Sequence, residues 1–150
     1  MATDTLSQHV KHHVIVRAEP ERVYDALTTA EGLDGWFTTG SEIDARAGGS
    51  VRFRWKDWGV DRYTGDDGGP VLEASRPSRF AFQWHTEGSP DRLTTVTIDL
   101  AAHPDGTVVR LVEEGFTDTD IGRQRLLENA TGWGEALTLL KFYVEHGLRY

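Results

Sequence analysis

Hydrophobic and polar positions change their period three times along this chain, and each change marks a new kind of element. Residues 9–18, HVKHHVIVRA, alternate and are rich in β-branched side chains, which predicts a first strand. AEPERVYDALTTAEGL follows, with Pro20 suited to a first helical turn and Val23, Ala26 and Leu27 on one stripe. Gly32 breaks that stripe, and residues 33–37, LDGWF, read as a second short helical segment.

From about 41 to 115 the period is two. In GGSVRFRWKDW, Val51, Phe53 and Trp55 share one face, and Arg52, Arg54 and Lys56 share the other. GDDGG at 65–69 reads as a turn cluster, and the wider GVDRYTGDDGG as a hairpin loop. PVLEA and RFAFQWH predict two strands around SRPS, with Phe80, Phe82 and Trp84 on one face of the second. RLTTVTIDLAAH turns Val96, Ile98 and Leu100 one way and Thr95, Thr97 and Asp99 the other. PDG at 104–106 is a hairpin turn, and TVVRLVEEGF closes the sheet.

The period then becomes helical from about Asp120 to His146, a length of about 40 Å. Leu126, Ala130, Trp133, Leu137, Leu140, Val144 and Leu148 form one narrow stripe. Gly132 and Gly134 bracket the tryptophan, although an interior glycine costs a helix about 1 kcal/mol relative to alanine. Gly134 falls at the stripe's edge, where a missing side chain lets sheet backbone approach or leaves cavity space. Gly132 falls nearly opposite, on the back of the helix.

This order predicts an α+β fold in which a curved antiparallel sheet wraps around a long C-terminal helix. Two short helices after the first strand close one end, and the far face of the sheet meets water. The 150 residues suit a single domain, 1–150, large enough to hold a core. The net charge of −8 and the absence of a basic patch argue against a nucleic-acid partner. Cysteine is absent, so disulfide and thiolate chemistry are excluded. No stretch has the roughly 20 apolar residues of a membrane span, and residues 1–13 show no apolar leader, so a cytoplasmic protein is expected.

Candidate chemistry is modest. No GxSxG, HExxH, phosphate-loop or dinucleotide fingerprint is present, and no cofactor is expected. His9 and His13 share a strand face but stand about 13 Å apart, so no metal site is expected. Arg52 and Arg54 read as a solvated face or, if turned inward, an anion anchor. Glu113 and Glu114 occupy opposite faces of the last strand, so one points inward, either paired with an arginine or poised as a general base. His85, beside Trp84, is a candidate ligand contact. Aromatic residues are plentiful, and aromatic walls suit flat or apolar ligands.

VIVRAEPERVYDALTTAEGLDGWF, GGSVRFRW, GPVLEASRPSRFAFQW, VRLVEEGF and TGWGEALTLLKFYVEHG together resemble the START-like (SRPBCC, helix-grip) superfamily. More narrowly they resemble its branch named after the activator of the heat-shock-protein-90 ATPase. The resemblance implies a cavity between the sheet and the long helix, with Trp36 and Phe37 at its mouth. The expected ligand-binding residues are Trp36, Phe37, Phe53, Trp55, Tyr63, Phe82, Trp84, Glu113, Phe116, Trp133, Gly134 and Leu137. Three functions compete: binding of a small hydrophobic or aromatic molecule, lipid- or polyketide-like; an enzyme of the polyketide cyclase type; and a co-chaperone-like interaction module. The extra N-terminal domain of the eukaryotic co-chaperone is not expected here, which weighs against the third. Leu139, Phe142 and Tyr143, off the main stripe, make a candidate homodimer contact.

Overall fold

A computed structural model describes residues 4–150. The reading of 1–13 as free of an apolar leader therefore falls, for 1–3, outside the described residues. The elements run β1 (Val10–Val16), α1 (Pro20–Thr28), α2 (Ala30–Trp36), β2 (Glu42–Ile43), β3 (Ser50–Trp58), β4 (Tyr63–Ser75), β5 (Arg79–Trp84), β6 (Thr94–His103), β7 (Gly106–Glu114) and α3 (Asp120–His146). The seven strands form one antiparallel sheet in the order β1-β7-β6-β5-β4-β3-β2. This is the predicted architecture, a curved sheet gripping one long helix. No helix among the described residues is long and apolar enough to cross a membrane.

Burial follows the predicted alternation. Val51 and Phe53 are buried while Arg52, Arg54 and Lys56 are exposed. Phe80, Phe82, Trp84, Val96, Ile98, Leu100, Val109 and Leu111 line the inner face of the sheet. Arg52 pairs with Asp66 at 2.8 Å and Arg54 with Glu42 at 3.1 Å, so both guanidiniums are paired with carboxylates.

The first helical break differs from expectation. The chain leaves α1 at Thr29, not at Gly32, because the Thr29 hydroxyl accepts the Gly32 N–H and caps α2. GDDGG is also not a turn. Residues 65–69 lie inside β4, paired with Val51–Trp55 of β3. The turn is earlier, at 59–62, and is reached through left-handed backbone at Asp57, Gly59 and Arg62. The glycines of this strand serve close approach: a side chain on Gly68 would collide with the Val51 carbonyl, and one on Gly69 with that of Gln83.

The stripe on α3 is buried only over part of its length. Trp133, Ala136, Leu137, Leu140 and Val144 are covered, whereas Ala130 and Leu148 are exposed. Leu148 lies beyond the helix, which ends at Gly147 with φ of 68°. The expected outward patch is also smaller than predicted. Leu139 and Tyr143 pack against the core, Tyr143 beside Gly35 of α2, and Phe142 alone of the three is exposed.

One sheet edge lies along α3. The Lys141 ammonium donates to the Ile15 carbonyl, and Glu145 Oε2 accepts the Arg17 N–H at 2.9 Å. The opposite edge is β2, which is two residues long.

Asp25 of α1 receives Arg76 at both carboxylate oxygens, 2.9 and 3.0 Å, which ties α1 to the β4–β5 turn. The Arg76 hydrogen bonds hold the Asp25 carboxyl below the usual carboxylate range. A depressed folded pKa stabilises the fold above the unfolded value and loses that effect as pH falls through the folded one. Asp25→Asn is expected to lower Tm by about 1–2 °C at pH 7, a small effect because the pair is half exposed. The difference from the parent should close by about pH 2 in thermal melts, as the parent carboxylate protonates.

Candidate functional site

Glu113 occupies the inward row of β7, following Thr107, Val109 and Leu111. It is fully buried, in a row otherwise filled mostly by aliphatic side chains. An unpaired carboxylate there would be costly. The expected arginine partner is absent, and four neutral donors take its place. Oε1 accepts from Trp133 Nε1 at 2.8 Å and from Asn129 Nδ2 at 3.0 Å. Oε2 accepts from Trp84 Nε1 at 2.7 Å and from Thr94 Oγ1 at 2.6 Å. Thr94 in turn is 2.7 Å from Thr86 Oγ1. With two bonds accepted by each oxygen, the carboxyl serves as an acceptor on every side. Its lone pairs are committed, so its geometry suits fixing the indoles better than abstracting a proton.

The two indoles held by Glu113 stand 5.5 Å apart, centroid to centroid. Phe37 stacks on Trp133 at 5.5 Å and on Trp36 at 5.0 Å, and meets Phe53 and Trp55 edge-on at 5.4 and 5.5 Å. Trp55 Nε1 donates to the Phe37 carbonyl at 2.7 Å, which locks the segment after α2 against β3. These offset and edge-to-face contacts make one continuous aromatic wall.

The wall borders an open cleft of about 880 Å³. Trp55, Trp58–Asp61 and Tyr63 line one side, residues of α3 between Arg125 and Ala136 another, and Trp84, His85, Thr86 and Gly88 a third. Asp66, Asp67 and Arg52 complete the rim. His85 Nδ1 lies 3.1 Å from the Gly68 carbonyl and 3.3 Å from Asp67 Oδ1, two acceptors that place the ring proton on Nδ1.

The structure divides the expected residues. Phe37, Trp55, Tyr63, Trp84 and Trp133 border the cleft together. Trp36 does not; its Nε1 donates to the Ala26 carbonyl at 2.9 Å and joins α2 to α1. Phe53, Phe82, Phe116 and Leu137 are core, and Glu113 lies behind the wall it organises. The two helix glycines exchange roles. A side chain on Gly134 would meet the His12 ring of β1 at 3.7 Å, whereas Gly132 borders the cleft with open space beside it. Asn129, Thr94, Asp67 and Gly132 were not anticipated. Asn129 had a readable signal: it stands four residues before Trp133, on the same helical face. Among the described residues no cluster of side chains is placed to hold a metal ion.

Known proteins resemble this chain throughout. The family model described as Activator of Hsp90 ATPase homolog 1-like protein matches residues 17–145. No curated protein matches at a significant level. A crystal structure of a Staphylococcus saprophyticus protein has a TM-score of 0.76 at 24% identity, over 95% of this chain and 96% of that one. The Aha1 dimer from Colwellia psychrerythraea, solved in solution, has a TM-score of 0.76 at 24% identity, over 93% of this chain and 98% of that one. DynU16, a protein of the dynemicin biosynthetic locus, has a TM-score of 0.80 at 20% identity over 97% of this chain; the match spans 51% of DynU16. These likenesses establish the helix-grip fold.

Glu113→Gln keeps the shape but turns an amide N–H₂ toward buried donors. It is expected to cost about 2–4 kcal/mol of stability. Urea unfolding followed by tryptophan fluorescence measures it; a loss below about 0.5 kcal/mol would show that the four donors find other acceptors.

Proposed function

We propose that this chain, which belongs to the Activator of Hsp90 ATPase homolog 1-like family by the match over residues 17–145, is a binding protein for a small hydrophobic or aromatic molecule. The observation that carries the reading is the cleft of about 880 Å³ with Phe37, Trp55, Trp58, Tyr63, Trp84 and Trp133 on its border. Ligand sites of this kind are concave, aromatic-rich and supplied with a few polar groups for orientation. Glu113 contributes pre-organisation: it holds Trp84 and Trp133 from behind, so a flat ligand meets walls that are already in place. Binding is preferred to catalysis because Glu113, the one buried carboxylate among the described residues, has its acceptor capacity filled by four donors.

Self-association is a second element of the reading. The Colwellia relative is a dimer, and Ile121, Leu127 and Phe142 of α3 are exposed apolar side chains here.

Gly132→Leu and Gly134→Leu separate the cleft from the rest of the helix. Leucine at 132 projects into the cleft and is expected to reduce uptake of an apolar fluorescent probe at least about tenfold, without loss of stability. Leucine at 134 faces His12 and should leave uptake unchanged. Equal uptake by both variants would refute the cleft. Native mass spectrometry of the purified protein, followed by denaturation and identification of released small molecules, tests the reading directly and reports the oligomeric state.

A further inference from the structure

The ionisable groups around the cleft are out of balance. Asp61, Asp66, Asp67 and Glu135 face only Arg52 and Arg125. Arg52 pairs with Asp66 and Arg125 with Glu128, each at 2.8 Å, while the buried Arg125 Nε–H has no partner among the described residues. Asp61 and Glu135 have no ion-pair partner among the described residues, and Asp67 has only His85. Beneath the floor, Glu113 adds a buried carboxylate whose four partners are all neutral donors.

The aromatic residues strengthen this bias. An aromatic ring presents negative potential on its face. Trp55 and Tyr63, the latter half exposed, stand 5.8 Å apart at 56° and form an open corner on the same side of the cleft as Asp61. Trp84 and Trp133 each donate their N–H to the Glu113 carboxylate, and such a bond polarises the indole and makes its face more negative. Faces of this kind attract cations, and acids at the rim add to the attraction.

The geometry points to a cationic ligand: an apolar or aromatic body carrying an ammonium or similar positive group, seated against the Trp55–Tyr63 corner with Asp61 and Glu135 at the rim. This rests on the cleft being the ligand site. An anionic ligand of the same size would meet Asp61 and Glu135, two carboxylates without an ion-pair partner among the described residues, and guanidiniums already paired with Asp66 and Glu128.

Three probes with one naphthalene body test the charge: 1-naphthylmethylammonium, 1-naphthylmethanol and 1-naphthoate, titrated into the wild-type protein by calorimetry at low salt. The ammonium is expected to bind about tenfold more tightly than the alcohol, and the naphthoate most weakly. The preference should shrink at high salt and in the double variant Asp61→Asn/Glu135→Gln, whose substitutions are at exposed positions. Equal affinities, or tighter binding of the alcohol or naphthoate, overturn the cationic assignment and leave the cleft standing. A preference unmoved by both salt and the double variant overturns its electrostatic origin. No binding of any probe overturns the cleft reading and the charge assignment together.

Discussion

The carboxylate of Glu113 has no cation beside it, and this one constraint organises much of the molecule. A buried negative charge must be matched by polar groups or it destabilises the fold. Here the match is made by an indole from β5, a hydroxyl from β6, and an amide and an indole from α3. The four donors bring three neighbouring strands and the long helix to a single point. They also fix the rotation of α3 about its axis, because Asn129 and Trp133 must both face β7. Neighbouring positions on a helix turn by about 100°, so the residues before and after Trp133 are swung to opposite flanks. Gly132 is thereby delivered to the cleft and Gly134 to β1.

The aromatic wall depends on the same point. With Trp84 and Trp133 pinned through their N–H groups, Phe37 has a fixed surface to stack on, and Phe37 in turn orders Trp55 and Phe53. Trp36 anchors the segment from the other side through its bond to α1. Side chains free to collapse inward are instead held at their outer ends, which lets a cleft persist beside a well-filled core.

Much of the fold was legible in the chain. Period-two alternation located most strands and their inward faces, and period 3.6 located α3 with its bounds, because burial imposes those periods directly. The glycine-rich stretch 65–69 was misread because turn residues and closely approached strand residues share a composition; only the collision partners on β3 and β5 tell them apart. The site was harder to read. Five of the twelve expected residues border the cleft, since an inward aromatic looks the same in sequence whether it is wall or core. Glu113 was visible as an inward acid, but its donors come from β5, β6 and α3 and are separated from it by 16 to 29 residues. A helical wheel drawn from apolar positions alone also placed Gly132 on the back of α3. Including Asn129 in the inward face shifts the wheel toward the observed orientation.

The sheet's two margins have a consequence for how copies of this chain can meet. Free backbone groups on an outer strand are a template on which another chain can add a strand. On the β1 side, α3 runs alongside, and Lys141 and Glu145 occupy the Ile15 carbonyl and the Arg17 N–H. On the other side, β2 offers only Glu42 and Ile43. Neither border leaves a long ladder open for a newcomer. Assembly by continuing the sheet from one molecule into the next is therefore disfavoured, as is its runaway form, the growing fibril. Contact between copies is directed instead to side-chain surfaces, where it can be specific and can stop at two.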